Sequence, residues 1–271
     1  MGQEIIREYQ GLPLLKFSHL LADGVPHGFS LRSGGVSAPP YDSLNLGFHV
    51  GDDRPAVREN RRRLAAAQNL SALKLVTGQQ VHGASIVWVR EEQAQCGWDS
   101  DAHTIPGTDG LITGDPGVVL MAHAADCTLL FFYHAAKKYV GLAHAGWRGA
   151  VAGIGTGLVD KLACQGCRRE TIRVALSPSI GPCCFRVGPE VAERVPAKYH
   201  RHILAKRKQG YYFDLPGFHK LQLLESGIAE DNLFVSKYCT SCHGDKFFSY
   251  RAAGGRTGRM AGFIALPEAG P

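Results

Sequence analysis

The chain has 271 residues, 45% of them hydrophobic and 20% charged, and carries a net charge of +6 from 30 basic and 24 acidic side chains. This length buries a core without disulfide staples, and the ordinary composition speaks against a fibrous or disordered chain. No basic stripe interleaved with aromatics marks a nucleic-acid reader, and no run reaches the ~18 apolar residues of a membrane span.

Residues Met1 to Lys16 carry acidic side chains early and lack an apolar core of signal-peptide length, so a cytoplasmic protein is expected. In that compartment the eight cysteines read as reduced thiols or metal ligands. Residues 27–51 are Gly-rich and irregular. Asp53 followed by Arg54-Pro55 predicts a capped helix running to about Gln68, with Val57, Leu64 and Ala65 facing inward. Short β-like runs follow at Ala84–Val89, Val118–His123, Leu129–His134 and Tyr139–His144. A small-residue helix is expected over Gly149–Leu162, a strand over Ile172–Ile180 and a helix over Phe218–Glu225. Asn232–Ser236, Phe247–Arg251 and Arg259–Leu266 complete the expected strands. Strands outnumber helices and alternate with them only in part. The pattern predicts an α/β (α+β) fold, a mixed sheet layered with helices in a single domain over 1–271. Arg58–Arg63 and His200–Lys208 gather basic side chains, as solvated faces or as attraction for anionic substrates. A monomer is the default.

Three potential metal ligands stand at strand boundaries. His82 lies in the turn Gly78-Gln-Gln-Val-His-Gly83, Cys127 in Ala124-Ala-Asp-Cys127, and His144 in Ala143-His-Ala-Gly-Trp-Arg-Gly149. Two imidazoles and a thiolate make a sound zinc set that leaves a fourth position open. Arg148, where a strand gives way to a helix, is a candidate phosphate contact. Asp109 and Asp126 are candidate acid/base groups, and Asp126, adjoining Cys127, could instead orient a metal-bound histidine.

Taken together, these segments resemble the YfiH-like family, also known as laccase-domain, polyphenol-oxidase or peptidoglycan-editing-factor proteins. The likeness runs through Arg32-Ser-Gly-Gly-Val-Ser37, Ser43-Leu-Asn-Leu-Gly47, Val50-Gly-Asp-Asp53, Gln80-Val-His-Gly83 and Thr108-Asp-Gly-Leu-Ile112. It continues through Ala125-Asp-Cys127, His144-Ala-Gly-Trp-Arg-Gly149, Gly181-Pro-Cys-Cys184, Tyr238-Cys-Thr-Ser-Cys242, Phe247-Phe-Ser-Tyr-Arg251 and Thr257-Gly-Arg-Met260. One departure is visible: Leu129 stands where the family commonly has a proline two residues after the Asp-Cys pair. The resemblance implies that His82, Cys127 and His144 bind a catalytic zinc, with copper as an alternative occupant. It also places Arg32 and Asn45 near the site as substrate contacts. The implied reactions are phosphorolysis of adenosine, inosine, guanosine and methylthioadenosine, and deamination of adenosine, so a purine nucleoside and phosphate are the expected partners.

Two alternatives use other chemistry. Cys127 with His144 could act as a cysteine hydrolase or amidase, including on a peptidoglycan precursor. A copper-dependent polyphenol oxidase needs many histidines in His-x-His pairs. The 12 histidines include one such pair, His200-Arg-His202, too little for a four-copper centre. A binding module without turnover is the remaining class. Cys164-x-x-Cys167 and Cys239-x-x-Cys242 have zinc half-site spacing but stand far apart. Cys183, Cys184 and the Tyr238–Cys242 stretch are expected to pack as buried thiols near the active site.

Overall fold

A computed structural model describes residues 2–70, 74–94 and 97–266. Among these residues the strands form three sheets. The first runs Glu4–Tyr9, Leu12–Phe17, His27–Ser30, Met260–Ala265, Val119–Ala124, Leu75–Thr77. The second runs Leu233–Val235, Arg173–Leu176, Thr128–His134, Tyr139–Ala145, Gly110–Thr113, Ile86–Trp88. A small third sheet joins Arg186–Val187, Gly210–Phe213 and Leu204–Arg207. Most neighbours are antiparallel. The parallel pairs lie toward the edges, as with Leu75–Thr77 beside Val119 to Met121.

Period-two alternation sends each central strand's side chains to two different cores. Leu129, Phe131 and Tyr133 point into the layer between the two large sheets, with Phe29, Leu120 and Leu142. Leu130 and Phe132 point the other way, onto Ile154, Leu158, Leu162 and Leu223. In the first sheet Leu120 and Ala122 face the shared layer, while Val119 and Met121 pack outward with Leu64 and Ala67. The result is a helix–sheet–sheet–helix stack. Fully buried phenylalanines such as Phe29, Phe131 and Phe132 contribute about 1.5–3 kcal/mol each to it.

The helix over Arg54–Ala67 starts as expected: the Asp53 carboxylate accepts from Ala56 N at 3.1 Å, and Pro55 sits in the first turn. Val57, Leu64 and Ala65 are all buried. The expected helix over Gly149–Leu162 is instead two helices, Trp147–Val151 and Ile154–Cys164, broken where Gly153 takes φ 77°. The later helix begins earlier than expected, at Leu215, because Asp214 caps Gly217 N at 2.9 Å and Pro216 fits the first turn.

Phe247–Arg251 forms no strand. Phe247 and Phe248 are completely buried from an irregular loop, and Phe248 N donates to Met260 Sδ at 3.0 Å rather than to a ladder. The strand expected over Ile172–Ile180 stops at Leu176, two residues before Pro178. Within the irregular segment 27–51, His27–Ser30 is in fact a buried strand. No helix among the described residues is long and apolar enough to cross a membrane.

Candidate metal centre and its cavity

The centre is assembled from three strand ends of the second sheet. Register places Gly110 opposite Ala143, so Asp109 comes level with His144. His144 N donates to the Asp109 carbonyl at 2.8 Å, extending the ladder by one bond. Leu129 pairs with His144, which brings Cys127 alongside from the neighbouring strand. His82 comes from the turn before Ile86–Trp88, which lies next to Gly110–Thr113.

The donor atoms of His82, Cys127 and His144 all lie within 4.8 Å of one another. The two imidazoles meet edge to face, with centroids 4.9 Å apart. Asp109 is what holds them. Its carboxylate accepts from the backbone N–H groups of Val81 at 3.2 Å, His82 at 3.1 Å and Gly83 at 2.8 Å. It also accepts from His144 Nδ1 at 2.9 Å, with both side chains almost fully shielded from solvent. A bond from Nδ1 to a carboxylate fixes the tautomer and leaves Nε2 as the donor toward Cys127 and His82.

His82 is in the left-handed region, at φ 60°. Three successive N–H groups bonded to one carboxylate offset that strain. Asp126, at φ 89°, is the second such residue at the site. Its carboxylate accepts from Thr240 Oγ1 at 2.6 Å and Arg251 N at 2.7 Å. Asp109 rather than Asp126 therefore orients the histidine, and Asp126 ties the Cys127 turn to the C-terminal loops.

When no ion stands between them, Cys127 and His144 favour each other's charged forms. Burial pushes the Cys127 thiol up, but the charge of His144 and hydrogen bonds from His144 and His82 outweigh it and bring it down to about 6. Burial likewise opposes charge on His144, yet Cys127 and Asp109 raise it to about 9. Burial works against the Asp109 carboxylate too, and the bonds from His144 and Gly83 more than compensate, holding it below the usual range. Two imidazoles and a soft thiolate converging on one point match zinc's preferred donors.

Two glycines of the His144–Gly149 segment make room for this. A Cβ on Gly146 would stand 2.9 Å from Cys127 Sγ and 3.1 Å from His82 Cδ2. A Cβ on Gly149 would stand 2.8 Å from the Gly83 carbonyl oxygen.

The centre opens into a cavity of about 660 Å³, within the range of about 300–1,000 Å³ typical of small-molecule sites. Arg148, Arg251 and Arg259 line it, as do His49 and His123. Arg148 is exposed, lies 4.3 Å over the Trp147 ring, and makes no ion pair among the described residues. Burial pushes His49 and His123 down, so both are neutral. Arg61 Nη2 lies 3.0 Å from His123 Nε2; because a guanidinium only donates, the His123 proton sits on Nδ1.

Arg32 and Asn45 lie outside the cavity lining. Arg32 is spent on the Asp42 carbonyl and carboxylate and the Gly244 carbonyl. Asn45 is completely buried; its amide bonds Gly47 and Asp52, and its Oδ1 accepts from Arg259 N at 2.9 Å. Asn45 thus positions a cavity arginine. His49, His123, Arg251 and Arg259 were not singled out in the sequence, although both arginines sit within segments quoted for their pattern.

Among the described residues, two groups of three or more metal-binding side chains occur, and neither holds more than two histidines. His200 and His202 are engaged elsewhere, with the Val195 carbonyl and Arg201. These donors do not build a four-copper centre.

Comparison with known proteins accords with this geometry. The chain is 40% identical to the purine nucleoside phosphorylase YlmD of Geobacillus stearothermophilus over 255 residues, covering 90% of this chain and 91% of that protein. It is 39% identical to a purine nucleoside phosphorylase of Deinococcus radiodurans, covering 95% and 94%. The crystal structure of Geobacillus YlmD superposes with a TM-score of 0.91 at 36% identity, covering 98% of this chain and all of that one. The profile described as "Multi-copper polyphenol oxidoreductase laccase" matches residues 26–267, and the chain belongs to that family.

Proposed function

We propose that the chain is a zinc-dependent purine nucleoside phosphorylase acting on adenosine, inosine, guanosine and methylthioadenosine, and that it also deaminates adenosine. The observation that carries this reading is the Asp109-locked His82–Cys127–His144 set opening onto an arginine-lined cavity. The names of the relatives supply the reaction class.

His82, Cys127 and His144 would hold the ion, which supplies Lewis acidity next to the bound substrate. The chain's own residues do the rest. Arg148, with Arg251 and Arg259 at the same cavity, offers positive charge to an orthophosphate. Phosphorolysis then exchanges the C1′–N bond of the nucleoside for a C1′–O bond to phosphate, releasing the purine and a pentose 1-phosphate. Neutral His49 and His123 supply hydrogen bonds rather than charge, which suits an uncharged purine. Tyr250 and Phe185 give the cavity aromatic faces.

The test is chromatography of each nucleoside incubated with metal-quantified protein, with and without phosphate. Free base that forms only with phosphate supports phosphorolysis, and inosine formed from adenosine without phosphate supports deamination. Neither product from zinc-loaded protein overturns the reading.

One observation favours a second reading. Asp109, His144 and Cys127 line up as orienter, base and nucleophile, the arrangement of a cysteine hydrolase. His82 on the same thiol favours metal over this dyad. Alkylation of Cys127 separates the two: it expels zinc under the first reading and leaves metal content unchanged under the second.

A further inference from the structure

A second group of sulfur ligands lies apart from the His82–Cys127–His144 centre. The Sγ atoms of Cys183, Cys184, Cys239 and Cys242 are all within 4.8 Å of one another. Cys242 Sγ stands 3.5 Å from that of Cys183 and 3.4 Å from that of Cys184. These separations are far from a disulfide, whose sulfurs are about 2.05 Å apart. They are close to the edge of a tetrahedral zinc–thiolate site, where bonds of about 2.3 Å put the sulfurs about 3.8 Å apart.

Two turns far apart in sequence are folded so as to present these atoms together. Cys239 and Cys242 have the C-x-x-C spacing of a zinc half-site, and their turn is closed by Cys242 N and His243 N on the Cys239 carbonyl, at 3.2 and 3.1 Å. The facing turn contributes Cys183 and Cys184, and its Gly181 N donates to Cys239 Sγ at 3.2 Å. A backbone N–H aimed at the sulfur is the outer-shell bond that stabilises a coordinated thiolate. Gly181 also lets the two turns approach closely: a Cβ there would lie 3.3 Å from Cys239 Cβ and 3.4 Å from Cys183 Sγ. Cys183 and Cys242 are exposed, so packing as buried thiols, the expectation from sequence, does not account for them. Nor do Cys164 and Cys167 take part, since they belong to neither donor group.

We propose that Cys183, Cys184, Cys239 and Cys242 form a structural zinc site that clamps the Gly181–Arg186 turn to the Tyr238–Cys242 turn. Four soft thiolates select zinc over hard cations such as magnesium or calcium. Binding releases up to four thiol protons as the four Zn–S bonds form, with no change of oxidation state. The clamp has a direct structural consequence. Ile180 and Phe185, at the two ends of the first turn, line the cavity. Arg251 Nη1 donates to the carbonyls of Cys184 at 3.3 Å and Arg186 at 2.9 Å. Thr240, between the two cysteines of the second turn, bonds Asp126 beside Cys127. The site therefore buttresses one wall of the cavity without touching the first centre's ligands, and its existence is independent of which reaction the cavity performs.

The test is metal content together with thiol accessibility, on untagged protein purified without chelator under reducing conditions. Mass spectrometry of the metals should give two zinc per chain in the wild type and one in the Cys183→Ser/Cys242→Ser variant. Exposed Cys183 and Cys242 should react slowly with Ellman's reagent until a zinc chelator is added, then rapidly. Should the double variant fail to fold, cobalt-substituted wild type decides, through a thiolate-rich tetrahedral spectrum saturating at a second equivalent. One zinc per chain in both proteins, chelator-independent rapid labelling, or a disulfide among the four cysteines in peptide mapping would each overturn the proposal.

Discussion

Replacing Asp109 by asparagine should cripple the first metal centre while leaving the sheet intact. The carboxylate accepts four bonds, two on each oxygen: His82 N and His144 Nδ1 on Oδ1, Val81 N and Gly83 N on Oδ2. An asparagine has one acceptor oxygen, so two donors must face its NH₂. If the oxygen keeps His144 it also keeps His82 N, and the turn loses the bonds from Val81 N and Gly83 N; Val81 is exposed and Gly83 half-buried, so water partly replaces them. If the oxygen keeps the turn, His144 must turn its lone pair to the amide, which puts a proton on the Nε2 that should bind metal. The first arrangement is cheaper because solvent is at hand. Its destabilisation is about 1.5–3 kcal/mol, the worth of one hydrogen bond to a charged group. Loss of an outer-shell partner of a metal-bound histidine typically lowers affinity about 10–100-fold. Zinc affinity measured by competition with a chromophoric chelator should fall by that factor, and kcat/KM with it. The exposed Asp160→Asn serves as a control. Asp109→Asn protein that holds zinc as tightly as the wild type would refute the assignment of Asp109.

Gly146→Ala places a methyl 2.9 Å from Cys127 Sγ, and should at least halve the zinc held at the first centre with little change in the thermal midpoint; unchanged metal content would contradict the packing argument. Arg148→Ala should raise KM for phosphate at least about tenfold, from the loss of a charge-assisted bond, with a smaller effect on KM for nucleoside. An equal effect on both would assign Arg148 a structural role. Burial holds His27 down at about 3 and His219 at about 4, against 6.5 when unfolded. Depressed folded values mean that the unfolded chain takes up these protons first. Stability is therefore full above pH 6.5 and falls as pH drops toward 4, by roughly 5 kcal/mol for the pair at pH 4.5. Urea midpoints that stay level from pH 6.5 to 4.5 would contradict this.

The central strands were legible because their apolar runs are long: Leu129–His134 and Tyr139–His144 are read to within one residue. The three donors were legible because each stands at the end of such a run in a polar, glycine-bearing segment. What the sequence did not disclose depends on register and long-range folding. Asp109 reaches His144 only because Gly110 pairs with Ala143, and nothing local says so. Asn45 looked like a substrate contact, whereas complete burial commits its amide to the loop that carries Arg259. Phe247 and Phe248 carry a strand's composition into a loop, because burial rather than pairing selects them. The four-cysteine group could not be assembled from spacing, since it joins a Cys-Cys pair to a C-x-x-C turn more than fifty residues later.

The central claim is metal-dependent phosphorolysis at His82, Cys127 and His144, and its most direct test uses one preparation in three states. Wild-type protein is assayed for ribose 1-phosphate from inosine and phosphate as isolated, after zinc is stripped, and after zinc is restored to saturation. The account predicts that activity is lost on stripping, returns with zinc, and does not return in His144→Ala protein treated the same way. Equal ribose 1-phosphate formation by stripped and reloaded protein, or by His144→Ala, would contradict it.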